Sequence, residues 1–212
     1  MSEFSTGRKN RSDQTKQNIL TAAEKHFSAL GLYGARIDEI ASEAGVNKRM
    51  IYEYFGNKEA LYQTVLQRVY LRIGECEESV IACAETSDAP DAIRNLVRLY
   101  FNFLLNNPTY VRMLMWENLH EGRYFDQSSL HNSRNPIIRA MHDILSHGQA
   151  QGVFKNSVDE KQLLMTLFAC SFNYFSNQHT MQRIMSLSFM TEEEINQRIA
   201  FITDMLLSYL TK

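Results

Sequence analysis

A chain of 212 residues, 44% of them apolar, can bury a sizeable core, and its three prolines and nine glycines argue against disorder. Its three cysteines, odd in number and without a CxxC pair, exclude a disulfide framework and a Cys-based zinc site, and fit a reducing cytoplasm. The net charge of −2 conceals an asymmetry: residues 1–72 carry +3 and residues 73–212 carry −5, the pattern of a phosphate-contacting head on an acidic body.

Residues 1–11 are polar and basic and read as a flexible arm, with neither a signal peptide's apolar stretch nor, anywhere later, a run of the ~20 apolar residues a membrane span needs. From about Ser12, the spacing of Ile19, Ala23, Phe27 and Leu30 predicts a first amphipathic helix ended by Gly31. A second short helix follows over Ile37–Ala44, with Ile37, Ile40, Ala41 and Ala44 inward and Gly45 as its stop. Val46 and Asn47 form a tight turn, Asn47 being a side chain suited to cap the next helix, Lys48–Phe55. Gly56-Asn57 breaks the pattern, and a long helix runs from Lys58 to about Ala84. Ser87 or Asp88 with Pro90 opens a helix to about Leu105, and Asn107-Pro108 opens another to Glu121-Gly122. Residues 123–135 are irregular. Helices then follow from Pro136 to about Gln151, from Ser157 or Asp159 to about Gln178, and from the Thr191–Glu194 capping box to about Leu210. The predicted class is all-α: a three-helix head over residues 12–57 on a helical effector-binding and dimerisation body over 58–212.

Two short helices joined by a tight Gly-containing turn, with an earlier helix packed across them, make a helix-turn-helix. On the second of the pair, Ile51 and Phe55 face inward, while Lys48, Arg49 and Tyr52 share the opposite side. Cations and a phenol at the start of such a helix match the acceptors of a major groove and its flanking phosphates. Arg49 is the candidate for a bidentate guanine contact, Lys48 and Tyr52 for phosphates, and Met50 for a thymine methyl. Glu53, one turn past Arg49, is unfavourable near phosphates. It pairs with Arg49 or accepts from cytosine N4, and the sequence leaves both open.

The run from Ile37 to Leu61 resembles the DNA-binding head of tetracycline-repressor (TetR) type regulators. The match lies at Ile40-Ala41, Ala44-Gly45-Val46, Tyr52, Phe55, Lys58 and Leu61, preceded by Ile19, Ala22-Ala23, Phe27 and Gly31. The resemblance implies phosphate contacts from Tyr52 and Lys58, and a dimeric repressor released from double-stranded DNA by a small-molecule effector; the alternatives are an activator or partner-controlled regulator, or a ligand-binding helical protein with a vestigial DNA-binding head. Three departures stand out: Asn47 replaces the usual small serine, Arg49 a small residue, and Ala35-Arg36 a threonine whose phosphate contact passes to Arg36. The segment Met115–Leu119 is similar to one in the pyrimidine-utilisation regulators of that family, which does not identify a ligand.

In the body, Tyr100, Phe103, Trp116, Asn118, His120, His142 and Asn173 have the character of an effector pocket, apolar walls with a few polar groups. Ordinary packing is the alternative for each. Phe168, Phe172 and Phe175 on one late helix, and Phe201, Met205 and Tyr209 on the last, are candidates for a dimer surface or for core. Cys76 and Cys83, seven apart, share a helix face in this reading. The acidic neighbours Glu75, Glu77 and Glu78 raise a thiol pKa, which favours a structural role over sensing. No metal-ligand spacing, cofactor motif or catalytic signature is present, so no metal, cofactor or enzymatic activity is expected.

Overall fold

A computed structural model describes residues 3–76, 88–125, 136–186 and 188–211, with side chains from Arg11 onward. Among these residues there are ten α-helices and no β-strand, so the all-α expectation holds. The chain packs into two units. One holds the residues up to Leu71 and those from Arg112 to Phe125; the other holds Arg72–Val111 and the described residues from Pro136 on.

In the first unit α1 (Glu3–Gly34) packs against α2 (Ile37–Ala44) and α4 (Lys58–Leu71), and α3 (Lys48–Phe55) packs against α2 and α4. Residues 3–11, read from the sequence as an arm ahead of the first helix, lie on α1 itself. No proline interrupts them, and Arg8, Lys9, Arg11 and Gln14 are all good helix formers. Gly31, expected as the end of this helix, kinks it instead at φ 68° and ψ 179°. The kink leaves Leu30 exposed and brings Leu32 inward beside Ile19, Ala23 and Phe27. Both short helices keep their expected bounds because their punctuation is local. Gly45 takes the left-handed conformation (φ 66°) at the end of α2, and Asn47 Oδ1 accepts from the Arg49 N–H at 2.9 Å to start α3.

The fourth helix is shorter than its pattern predicts. It ends at Leu71 and gives way to a 3-10 turn over Arg72–Cys76, where Gly74 falls. Residues 77–87, including Cys83, lie outside the described residues. Nor does α4 belong with the body, since Leu61, Tyr62, Val65, Leu66 and Val69 are buried within the first unit. The head is thus larger than residues 12–57.

The second unit is built on α5 (Ala89–Asn106), which packs against α7 (Pro136–Ala150), α8 (Glu160–Ser176) and α10 (Glu192–Leu210). The predicted caps do their work: Asp88 accepts from Asp91 N–H, Asp159 from Lys161 and Gln162 N–H, and Thr191 from Glu194 N–H. α8 ends at Ser176, close to its expected end near Gln178, and a break at Asn177 separates it from a short α9 (Gln178–Met185). Between α5 and α7, α6 (Pro108–Leu119) begins among residues of the second unit and ends among those of the first. No described helix is long and apolar enough to cross a membrane.

Candidate nucleic-acid interface

α3 presents two chemically distinct sides. Ile51 is fully buried, with Val46 and Phe55 half-buried around it. Lys48, Arg49 and Tyr52 are exposed, as are Asn47 at the cap and Arg36 before α2; Met50 and Lys58 are half-buried. Burying Ile51 alone contributes about 1.5–3 kcal/mol to seating the helix, which leaves its polar side outward. The α3 residues Lys48, Arg49, Met50 and Tyr52 therefore share the first two turns of one helix, with Asn47 immediately before them. Lys58 starts α4, where its ammonium lies 3.5 Å from the Tyr33 carbonyl oxygen.

Both cations on α3 are already paired. Lys48 Nζ lies 2.9 Å from Asp38 Oδ1 on α2, and this pairing raises the lysine pKa further. Arg49 Nε donates to Glu53 Oε1 at 2.9 Å, which decides, for the protein without DNA, the question the sequence left open about Glu53. Elsewhere, Glu43 of α2 holds Lys25 at 2.6 Å and His26 at 2.9 Å on α1, and the Lys25 hydrogen bond draws the Glu43 carboxyl below its ordinary range. Tyr54, on the flank of α3, accepts from Ser12 Oγ at 3.3 Å and carries Lys16 over its ring. The sequence reading passed over Tyr54 because nothing in local spacing pairs it with residues 42 positions away.

The sequence matches the family "Bacterial regulatory proteins, tetR family" over residues 19–65, and "Tetracyclin repressor-like, C-terminal domain" over residues 90–206. It is 31% identical over 206 residues to the HTH-type transcriptional repressor NicS of Pseudomonas putida, covering 97% of this chain and 96% of that protein. A second repressor, SCO4008 of Streptomyces coelicolor, is 32% identical over 161 residues, 74% of this chain and 76% of its own. The chain belongs to the TetR family. Among solved structures, the transcriptional regulator FadR from Bacillus subtilis, in complex with stearoyl-CoA, shares the TetR fold at TM-score 0.65. It has 18% identity, and the likeness covers 92% of this chain and 98% of that one. The protein is a TetR-type DNA-binding transcriptional regulator, and α2–α3 is its helix-turn-helix.

The effector-pocket candidates of this TetR regulator divide between the two units. Trp116, Asn118 and His120 fall in the first unit, whereas Tyr100, Phe103, His142 and Asn173 fall in the second. Trp116 lies against Gly31, where an added Cβ would stand 2.8 Å from its ring, and its Nε1 donates to the Ser28 carbonyl at 3.2 Å. Asn118 is exposed and donates to Leu114 O on its own helix. His120 packs edge-on against Tyr33 and Tyr124. In the second unit Tyr100 meets Phe168, Phe103 meets Tyr110, and His142 is exposed and paired with Glu160 at 2.9 Å, which raises its pKa. Asn173 lines a cavity of about 400 Å³ between α8, α9 and α10, with Met181, Phe189, Arg198 and Phe201 among its walls.

A residue absent from the sequence-based site proves central to the first unit. Glu117 is 2% exposed; Tyr62 Oη donates to it at 3.3 Å and the Tyr124 N–H at 2.5 Å. Burial first, then the adjacent Glu117 carboxylate, push the Tyr62 hydroxyl above its ordinary pKa of 10. Cys76 is half-buried, and burial followed by Glu75 raises its thiol pKa, in line with a structural rather than a sensing role. Among the described residues no group of side chains is arranged to hold a metal ion.

The dimer-surface candidates divide. Phe201, Met205 and Tyr209 of α10 are exposed, but Phe175 is core, 5.6 Å from the Phe101 ring, and Phe168 turns toward Tyr100. The outward stripe of α8 runs through Met165, Ala169 and half-buried Phe172. Of the two readings left open for these rings, core fits Phe175, while Phe172, Phe201, Met205 and Tyr209 keep solvent-facing surface.

Proposed function

We propose that the protein is a homodimeric cytoplasmic repressor, released from a palindromic operator by a small molecule bound in its second unit. The observation that carries the DNA reading is the polarity of α3: a buried Ile51 anchors a helix whose Lys48, Arg49 and Tyr52 face solvent. Arg49 takes the guanine contact, Met50 a thymine methyl, and Lys48, Tyr52, Lys58 and Arg36 the phosphates. Asn47 serves first as the cap that aims the helix. Repression is supported by the two relatives named as repressors, each similar over most of the chain.

Dimerisation is supported by the exposed apolar stripe shared by α8 and α10, where Phe201 stands 62% exposed. A half-site reader needs a two-fold, with recognition helices about 34–36 Å apart to enter successive major grooves. A second copy would pack Phe201, Met205 and Tyr209 against Met165, Ala169 and Phe172 in a four-helix bundle. An effector that prefers one spacing of the heads by about 1–3 kcal/mol lowers operator affinity 5- to 150-fold.

A reporter fused to the DNA upstream of the protein's own gene tests the repressor reading: output rises when the gene is deleted, whereas a fall marks an activator. Phe201→Glu places an unpaired charge in the proposed interface, and sedimentation should find it monomeric with operator binding lost. A Phe201→Glu protein that stays dimeric puts the interface elsewhere.

A further inference from the structure

The two cations of α3 and the two acids that hold them, Asp38 and Glu53, sum to zero charge on the face that meets DNA. A surface evolved only for affinity would not carry Glu53. At 58% exposure, beside an Arg49 that is 84% exposed, it lies where phosphates approach and repels them. Its contact is to Arg49 Nε, not to the terminal nitrogens. A guanidinium held by its Nε still offers the Nη1 and Nη2 hydrogens as a parallel pair, the fork that fits guanine O6 and N7.

We infer that Glu53 is a specificity-determining residue that acts through Arg49, holding the guanidinium ready for guanine and penalising its use on phosphate. On an operator the Nη pair meets the base while the Nε–Glu53 bond stays intact. On any other sequence Arg49 reaches only the backbone. To do so it must abandon Glu53, leaving a bare carboxylate beside the phosphates. Glu53 therefore weakens the non-specific mode more than the specific one, discrimination by an added repulsion rather than an added attraction. The same logic applies with less force to Asp38 and Lys48, since neither reads a base.

This rests on α3 being the reading helix, and the test separates the two claims. Wild type, Glu53→Gln, Arg49→Ala and the double variant are titrated with salt against two duplexes of equal length. One carries the region upstream of the protein's own gene that it protects from nuclease; the other has random sequence. Glu53→Gln should tighten random-duplex binding roughly eightfold at 0.1 M salt and steepen its salt slope by about 0.9, the signature of one more phosphate neutralised. Operator binding should gain less, so the specificity ratio falls. In the Arg49→Ala background Glu53 is bare on either duplex, so Glu53→Gln should tighten both about equally and its effect on the specificity ratio should largely disappear. If Glu53→Gln instead weakens operator binding and leaves the random duplex unchanged, Glu53 accepts from a base and the inference is overturned. Silence on both duplexes, with Arg49→Ala still damaging, overturns it too. Silence of Arg49→Ala itself shows that the reading helix, and not only Glu53, was misassigned.

Discussion

Gly31→Ala should destabilise the first unit by about 2–6 kcal/mol, among the largest effects of any single methyl group in this protein. Two independent costs add. At φ 68° and ψ 179°, Gly31 occupies a region that is essentially closed to residues with a Cβ, worth about 1–3 kcal/mol. The new methyl would also stand 2.8 Å from Trp116 Cδ2 and Cε3, so the ring must leave its seat, at about 1–3 kcal/mol more. Gly45→Ala is the control. Its φ is 66°, but no atom lies within 4 Å of the added carbon, so only the conformational cost of about 1–2 kcal/mol applies. Trp116 is the only tryptophan, so denaturant unfolding followed by its emission reports on this unit directly. Equal midpoints for the two variants would contradict the packing described.

Glu117→Ala should cost about 2–6 kcal/mol, because it strands two donors, the buried Tyr62 hydroxyl and the part-buried Tyr124 N–H, at about 1–3 kcal/mol each. Glu117→Gln keeps an acceptor in place and should cost clearly less. The two variants also differ from wild type in alkali. The Tyr62 pKa is raised on folding, so its contribution is fully present below pH 10, the unfolded value, and is lost as pH rises through the folded value. Wild-type Tyr62 should resist ionisation beyond pH 10 in an absorbance titration. In Glu117→Gln one source of that upward push is gone, and Tyr62 should ionise at lower pH, though burial keeps it above an exposed tyrosine. An unchanged tyrosine titration would show that the carboxylate does not act on it.

These two sites mark where sequence reading stops. What local punctuation encodes was legible: Gly45 and Asn47 bound α2 and α3, and Asp88, Asp159 and Thr191 cap α5, α8 and α10 where their side chains suggested. The outward set Lys48, Arg49 and Tyr52 followed from the helical period once Ile51 was taken as inward. Long-range contacts left no such trace. Nothing in local spacing foretells that Trp116 packs on Gly31 and donates to Ser28 O, 88 positions away. The length of α4 was overread because an apolar period persists through Ile73, and the local propensities do not show where an α-helix tightens into a 3-10 turn. Phe175 and Phe201 could not be sorted into core and surface by composition, since that sorting depends on where Phe101 sits.

The central claim is that the exposed side of α3 reads DNA. It is tested most directly by salt-titrated binding of Arg49→Ala and Lys48→Ala to the duplex upstream of the protein's own gene and to its single-base variants. Arg49→Ala should lose about 1–3 kcal/mol and its preference at one base pair, while Lys48→Ala should weaken all sequences alike and flatten the salt slope by about 0.9. Wild-type affinity, base preference and salt slope in both variants would contradict the account.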